Sequence, residues 1–214
     1  MWGLVESGSI TKFINKPKSL VIGDVRHSRK IFELWSKSEL EAIGIYEITF
    51  DNSKKKDERW YINTNQTYTY DASAGTITAA YGDATEKPHA DTNWTQDEID
   101  AVPSEAPVGA DTNTLKARGL KYILIQSVKK DAESLLNQTD WYITRKTEKN
   151  TAIPSNITTW RNAIRTKQEA METSITNASN TAALETLHTY VNTADEGDPK
   201  VMERPIGEFP KLGS

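Results

Sequence analysis

Residues 30–50, KIFELWSKSELEAIGIYEITF, change periodicity in mid-stretch, and that change decides the fold class. Ser36 and Glu39 stand three apart, the spacing of a capping box. In that motif the hydroxyl accepts from one free helix amide while the carboxylate accepts from the other. Leu40 and Ile43 follow at helical spacing, and Gly44 is placed to end the helix in left-handed backbone. From residue 45 the period drops to two. Ile45, Glu47 and Thr49 alternate with Tyr46, Ile48 and Phe50, as in a strand. A short helix running straight into a strand points to an α+β architecture.

Working outward, residues 1–82 read mainly as strands and turns. Trp2–Glu6 and residues 10–15 flank SGS as a hairpin, and residues 18–22 are extended after Pro17. Beyond the strand at 45–50, DNSKKKDE is a charged turn. RWYIN, QTYTYD and TITAAYG follow at close spacing, which predicts a small meander. Residues 83–111 are acidic and poor in aliphatics, and they contain Pro88, Pro103 and Pro107. That composition predicts a linker with a brief helical turn at Gln96–Ala101.

From residue 112 to 194 the pattern is helical. Leu115, Leu120, Ile123, Leu124, Val128, Leu135 and Leu136 trace one stripe, with Gly119 weakening it. A second helix is expected after Pro154, with Ser155 or Asn156 as cap. Its apolar stripe is Ile157, Trp160, Ile164, Met171 and Ile175, and its polar face carries Arg161, Arg165, Gln168, Glu169 and Glu172. A shorter third segment adds Leu184, Leu187 and Val191, with Asn180 as cap. Residues 195–214, rich in Pro and Gly, read as an extended tail. The expected architecture is therefore a small β-rich N-terminal module with one short helix, followed by a helical hairpin or three-helix unit.

The composition sets limits on function. The 214 residues carry a formal charge of −4, which argues against a generally cationic nucleic-acid binder. No cysteine is present, so there is no disulfide framework, thiolate nucleophile or cysteine metal site. The opening MWGLVESGSI has neither a basic n-region nor an apolar h-region, and no apolar run reaches membrane-spanning length. The expectation is a protein made without targeting and without a membrane partner.

Three histidines, His27, His89 and His188, lie far apart, and none has a second ligand at metal-binding spacing. The carboxylate pairs Asp97/Glu98 and Asp195/Glu196 sit in polar surroundings that do not favour a raised pKa. No phosphate loop, nucleophile elbow or zinc-helix motif occurs. These observations predict a non-enzymatic chain with no catalytic, cofactor-binding or metal-ligating residues. The basic run NSKKKDER beside Trp60 and Tyr61 reads as a solvated loop, because Asp57 and Glu58 interrupt it.

Residues 135–154, LLNQTDWYITRKTEKNTAIP, combine aromatics with cations. Two readings compete for them: a binding site, or a joint between helices. Leu135 and Leu136 finish one helix and Pro154 precedes the next, while Thr139 and Asp140 are turn formers. This placement favours a joint built from Asp140, Trp141, Tyr142 and Trp160, with Trp141 closing over the apolar seam and residues 145–149 in water.

Two stretches bear a resemblance. Residues 135–167, LLNQTDWYITRKTEKNTAIPSNITTWRNAIRTK, resemble a helical module of bacteriophage tail-fibre-associated and tail-fibre assembly proteins. In that module a leucine-rich helix ends in Leu-Leu…Thr-Asp-Trp. A loop to a proline follows, and then an aromatic-Arg…Arg helix, here Trp160, Arg161 and Arg165. Residues 1–48 resemble the front ends of phage tail-associated proteins, which pair a short β module with LWS…EL…IGIY. The resemblance implies a structural protein of the phage tail, made in the host cytoplasm and docked to other virion proteins as a homo-oligomer.

Within that expectation Arg204, Ile206, Phe209 and Leu212 are the candidate partner contact, since an extended tail can order on a partner. One alternative is a tail-fibre assembly chaperone absent from the mature particle. Another is a carbohydrate-binding attachment module with Trp60, Tyr61, Tyr68 and Tyr70 as an aromatic platform.

Overall fold

Ser7 and Gly8 both take positive φ, 51° and 79°, the geometry of a two-residue type I′ turn whose twist suits a hairpin. They join β1 (Trp2–Glu6) to β2 (Ser9–Ile14) in antiparallel register, with a bulge between Leu4 and Val5. The computed structural model describes residues 1–213, and the chain divides into two compact units between Thr85 and Glu86. The fold is α+β: strands dominate the first unit and helices the second.

In the first unit a short hairpin, β3 (Leu20–Ile22) and β4 (Val25–His27), precedes α1 (Ile31–Leu34) and α2 (Lys37–Ala42). The capping box at Ser36 and Glu39 forms in full, and Gly44 takes φ 81°. A Cβ at Gly44 would lie 2.6 Å from the Val5 carbonyl oxygen, so both backbone conformation and space require glycine there. α1 is an element the periodicity did not predict; a single turn buries only Ile31.

β5 (Ile45–Asp51) then pairs antiparallel with β1. After β6 (Tyr61–Ile62), β7 (Thr67–Asp71) and β8 (Thr76–Ala80) form a hairpin. β8 lies parallel to β5, giving the sheet order β2-β1-β5-β8-β7. The expected meander is thus replaced by a mixed sheet. Residues 52–75 are long enough for the crossover a parallel pair needs.

Alternation along β5 feeds two separate cores. Ile45 joins Leu4, Ile14, Leu20, Ile31 and Leu40 on the face covered by the helices and the β3–β4 hairpin. Ile48 joins Ile77 and Ala79 on the other face, beneath Val5, Ile10 and the tyrosines 46, 68 and 70. Gly3 makes room there, because a Cβ would stand 2.5 Å from Ile77 Cδ1.

A two-residue strand, β9 (Thr85–Glu86), spans the division between the units. Residues 83–111, read from composition as a linker, also carry β10 (Thr92–Asn93) and α3 (Gln96–Ala101), the helical turn expected there. β10 pairs with β11 (Leu115–Ala117), so the helix expected from residue 112 begins only at Leu120.

Residues 88–91 provide its cap. Asp91 accepts from the Gly119 amide at 2.8 Å and from Arg118 at 2.6 Å. The Pro88 and His89 carbonyls accept from Leu120 and Lys121. The free first-turn amides of α4 (Leu120–Asn137) are thereby satisfied by chain that looked like a connector. α5 (Asp140–Lys149), α6 (Ser155–Asn177) and α7 (Thr181–Leu187) follow, and Asn180 caps α7 as expected. β12 (Val191–Asn192) and β13 (Met202–Glu203) close the second unit as a small hairpin.

Two expectations follow from this cap. A Cβ at Gly119 would run into the backbone of Ala90, so Gly119→Ala should destabilise the protein by about 1–3 kcal/mol in urea unfolding. The Gly119 amide, and then Arg118, hold the Asp91 carboxyl below its ordinary value. The folded chain therefore binds that proton less tightly than the unfolded chain. The contribution is complete above the unfolded value of about 3.9 and is lost as pH falls through the lower folded value. Asp91→Asn should flatten the acid limb of the stability profile, measured by unfolding across low pH.

Candidate functional site

The turn from α4 into α5 is held by a residue outside the expected set of Asp140, Trp141, Tyr142 and Trp160. Arg161, assigned to the polar face of α6, is buried. Its Nη1 donates to the Leu136 carbonyl at 2.8 Å and to Thr139 Oγ1 at 2.7 Å, and its Nη2 lies 2.7 Å from Asp140 Oδ1. A cation at the C-terminus of α4 meets the negative end of its dipole, adding to a Leu136 carbonyl that also accepts from the Thr139 amide at 3.0 Å. Asp140, the first residue of α5, balances the charge. The spacing Ile157–Arg161–Ile164 held the signal, since it places the guanidinium on the apolar stripe.

Trp160 is 6% exposed and packs with Ala132 and Ile164, flanked by Leu135, Leu136 and Phe209. Its indole Nε1 donates to the Pro210 carbonyl at 2.8 Å. Trp141 does not close the seam. It is 51% exposed, because residues 140–149 form a helix rather than a loop and turn it outward. There it stacks on Tyr142 at 3.7 Å between ring centroids. The Arg145 guanidinium lies 4.8 Å and 5.2 Å from the two rings. A cation three and four residues along a helix from two aromatics reaches both. Arg145 is therefore engaged with rings rather than simply solvated.

The tail also departs from expectation. Ile206 is 2% exposed, and its amide donates to the Leu187 carbonyl at 3.2 Å. Phe209 packs on the Trp160 cluster. Arg204 lies over Tyr190, whose hydroxyl donates to Glu208 at 2.8 Å, a bond that raises the phenol's pKa. Of the four residues expected to meet a partner, Leu212 alone is classed as exposed. The tail is a strap on its own helices because Ile206 and Phe209 gain more by covering that seam than by staying in water. Between strap and α6 lies an open groove of about 510 Å³, lined by Lys167, Met202, Arg204 and Glu208 among others.

In the first unit, the aromatic platform expected from four residues is not formed. Trp60 and Tyr61 are 3% and 4% exposed, so neither ring offers a face to a ligand. Tyr68 and Tyr70 remain accessible on the sheet. A different surface is apolar: Val25 on the β3–β4 hairpin, and Leu34 and Trp35 at the end of α1, are all exposed. Val21, also exposed, pairs with Arg26 on the opposite face of the hairpin. His27 of β4 meets Trp35 edge-on at 5.7 Å, which brings hairpin and helix end together into one ridge.

Among the described residues, no group of three or more His, Asp or Glu side chains is arranged to hold a metal ion. No helix among them is long and apolar enough to cross a membrane. Glu98, of the first carboxylate pair, is lowered in pKa by Lys116 and by the Thr95 amide. That shift is opposite to the one a general acid at neutral pH requires. In the basic run, Lys54 pairs with Asp83 and Arg59 with Asp57. No family model, no curated protein and no solved structure matches the chain.

The two tryptophans of the joint make a direct test. Trp160→Ala should cost about 3–5 kcal/mol of stability, as large-aromatic truncation in a core does. Trp141→Ala should stay within about 0.5 kcal/mol, as surface substitutions do. Chemical denaturation of both variants separates them.

Proposed function

We propose that this chain is a non-enzymatic structural protein of a bacteriophage tail or tail-fibre apparatus, acting by docking to other virion proteins. The observation that carries the docking role is the exposed apolar ridge Val25, Leu34 and Trp35, joined through the His27–Trp35 contact. Contiguous apolar surface on a folded unit marks a contact with another protein. The phage assignment rests on the sequence resemblance at residues 1–48 and 135–167. The tail docks on its own helices, so the ridge replaces residues 204–212 as the surface offered to a partner.

Proteomics of purified phage particles tests the reading. The chain should be found in stoichiometric amounts, and Leu34→Asp should reduce its incorporation at least about ten-fold, equivalent to about 1.4 kcal/mol of contact energy. The variant should melt like the unaltered protein, since Leu34 lies outside the core. Presence during assembly with absence from finished particles would favour the chaperone role instead.

A further inference from the structure

Phe13 and Tyr68 stand on β2 and β7, the two edge strands of the five-stranded sheet, yet their ring centroids are 4.6 Å apart. Four strand spacings would separate those edges by roughly 19 Å on a flat sheet. No pair of aromatic side chains spans that gap, so the sheet is curled and its edges approach one another. The register places both rings on the concave face. Phe13 is opposite Gly3, Tyr68 opposite Ala79, and Tyr70 opposite Ile77. Tyr46 and Tyr70 form a second ring pair on that face, at 4.9 Å.

Where the edges approach lies an open groove of about 470 Å³, lined by Ser9, Ile10, Phe13, Tyr68, Thr69 and Tyr70, with Gly8 at one end. None of these residues is charged. Phe13 is 42% exposed, although it stands on the face that holds the core. The groove thus offers ring faces and hydroxyl groups side by side, without a cation or carboxylate. We infer that this groove is a binding site for a neutral saccharide. Aromatic faces cover the apolar C–H side of a pyranose, and hydroxyls at the rim exchange hydrogen bonds with its OH groups. A few placed polar groups around aromatic walls are what orient a small ligand.

An added β-strand is the competing occupant, because both edges are open. The Phe13–Tyr68 contact already bridges the edges and stands where the incoming strand's side chains would go. An acidic or basic ligand would find no counter-charge among the lining residues. The inference does not depend on the virion assignment, since it rests on the groove alone.

The test uses the full chain and a panel of neutral trisaccharides of glucose, galactose, mannose and N-acetylglucosamine, in α and β linkages. Backbone amide shifts should move saturably at residues 8–13 and 67–70 with at least one of them. Phe13→Ala should weaken that binding about ten-fold or more. Tyr68→Phe, which keeps the ring, should weaken it less than Tyr68→Ala. Phe13 is half-exposed on an edge strand, so its variant should fold; if it does not, the shift map of the unaltered chain decides. Absence of shifts with every sugar, shifts confined to other residues, or unchanged affinity in folded Phe13→Ala would overturn the site. So would a dimer that Phe13→Ala dissociates, because a second copy would then occupy the groove.

Discussion

The helical unit turns on one buried guanidinium. Arg161 reaches the end of α4 and the first residue of α5 from the second turn of a third helix, α6. A buried cation is costly unless each of its donors finds an acceptor. Here the acceptors are a helix carbonyl, a threonine hydroxyl and a carboxylate, which fix the end of one helix and the direction of the next together. With α5 set by that contact, Trp141 points away from the seam and stacks on Tyr142 instead. Trp160, one residue before Arg161, then fills the space between helices and anchors the strap through Pro210.

The first unit solves a different problem. Its sheet is buried on one side by two helices and a hairpin, and on the other only by its own curl. Gly3 is what allows the second arrangement, because Ile77 occupies the volume its side chain would need. Each face therefore has its own small core, and β5 supplies both through simple alternation. The aromatic groove is a by-product of the same curl, since only a bent sheet brings β2 near β7.

The readable parts of the sequence were those with local causes. The Ser36–Glu39 capping box, the Gly44 stop, the SGS turn and the stripe of α6 each follow from residues a few positions apart. The parallel pairing of β5 with β8 did not show, because two short strands intervene and nothing local distinguishes a crossover from a meander. Residues 140–149 hid their helix for a related reason. They have no apolar stripe, and Thr139 and Asp140 suit a turn as well as a helix start. Residues 88–91 looked like connector because their role is to satisfy the backbone amides at the start of α4, which leaves no hydrophobic pattern. Arg161 was misplaced because charge outweighed position in the reading of its face. For the binding surfaces, composition alone could not show that Trp60 and Tyr61 lie inside and Phe13 partly outside.

The strap has a consequence for synthesis. Every residue of the two cores in the first unit has been made by residue 79, so that unit can close while the rest of the chain is still being translated. The helical unit cannot finish so early. Its seam stays open until Ile206, Phe209 and Pro210 emerge, which leaves Trp160 and the neighbouring leucines uncovered from their own synthesis until the strap is made. The strap residues thus act as a timer: the second unit completes itself only after residues 206–210 have been made.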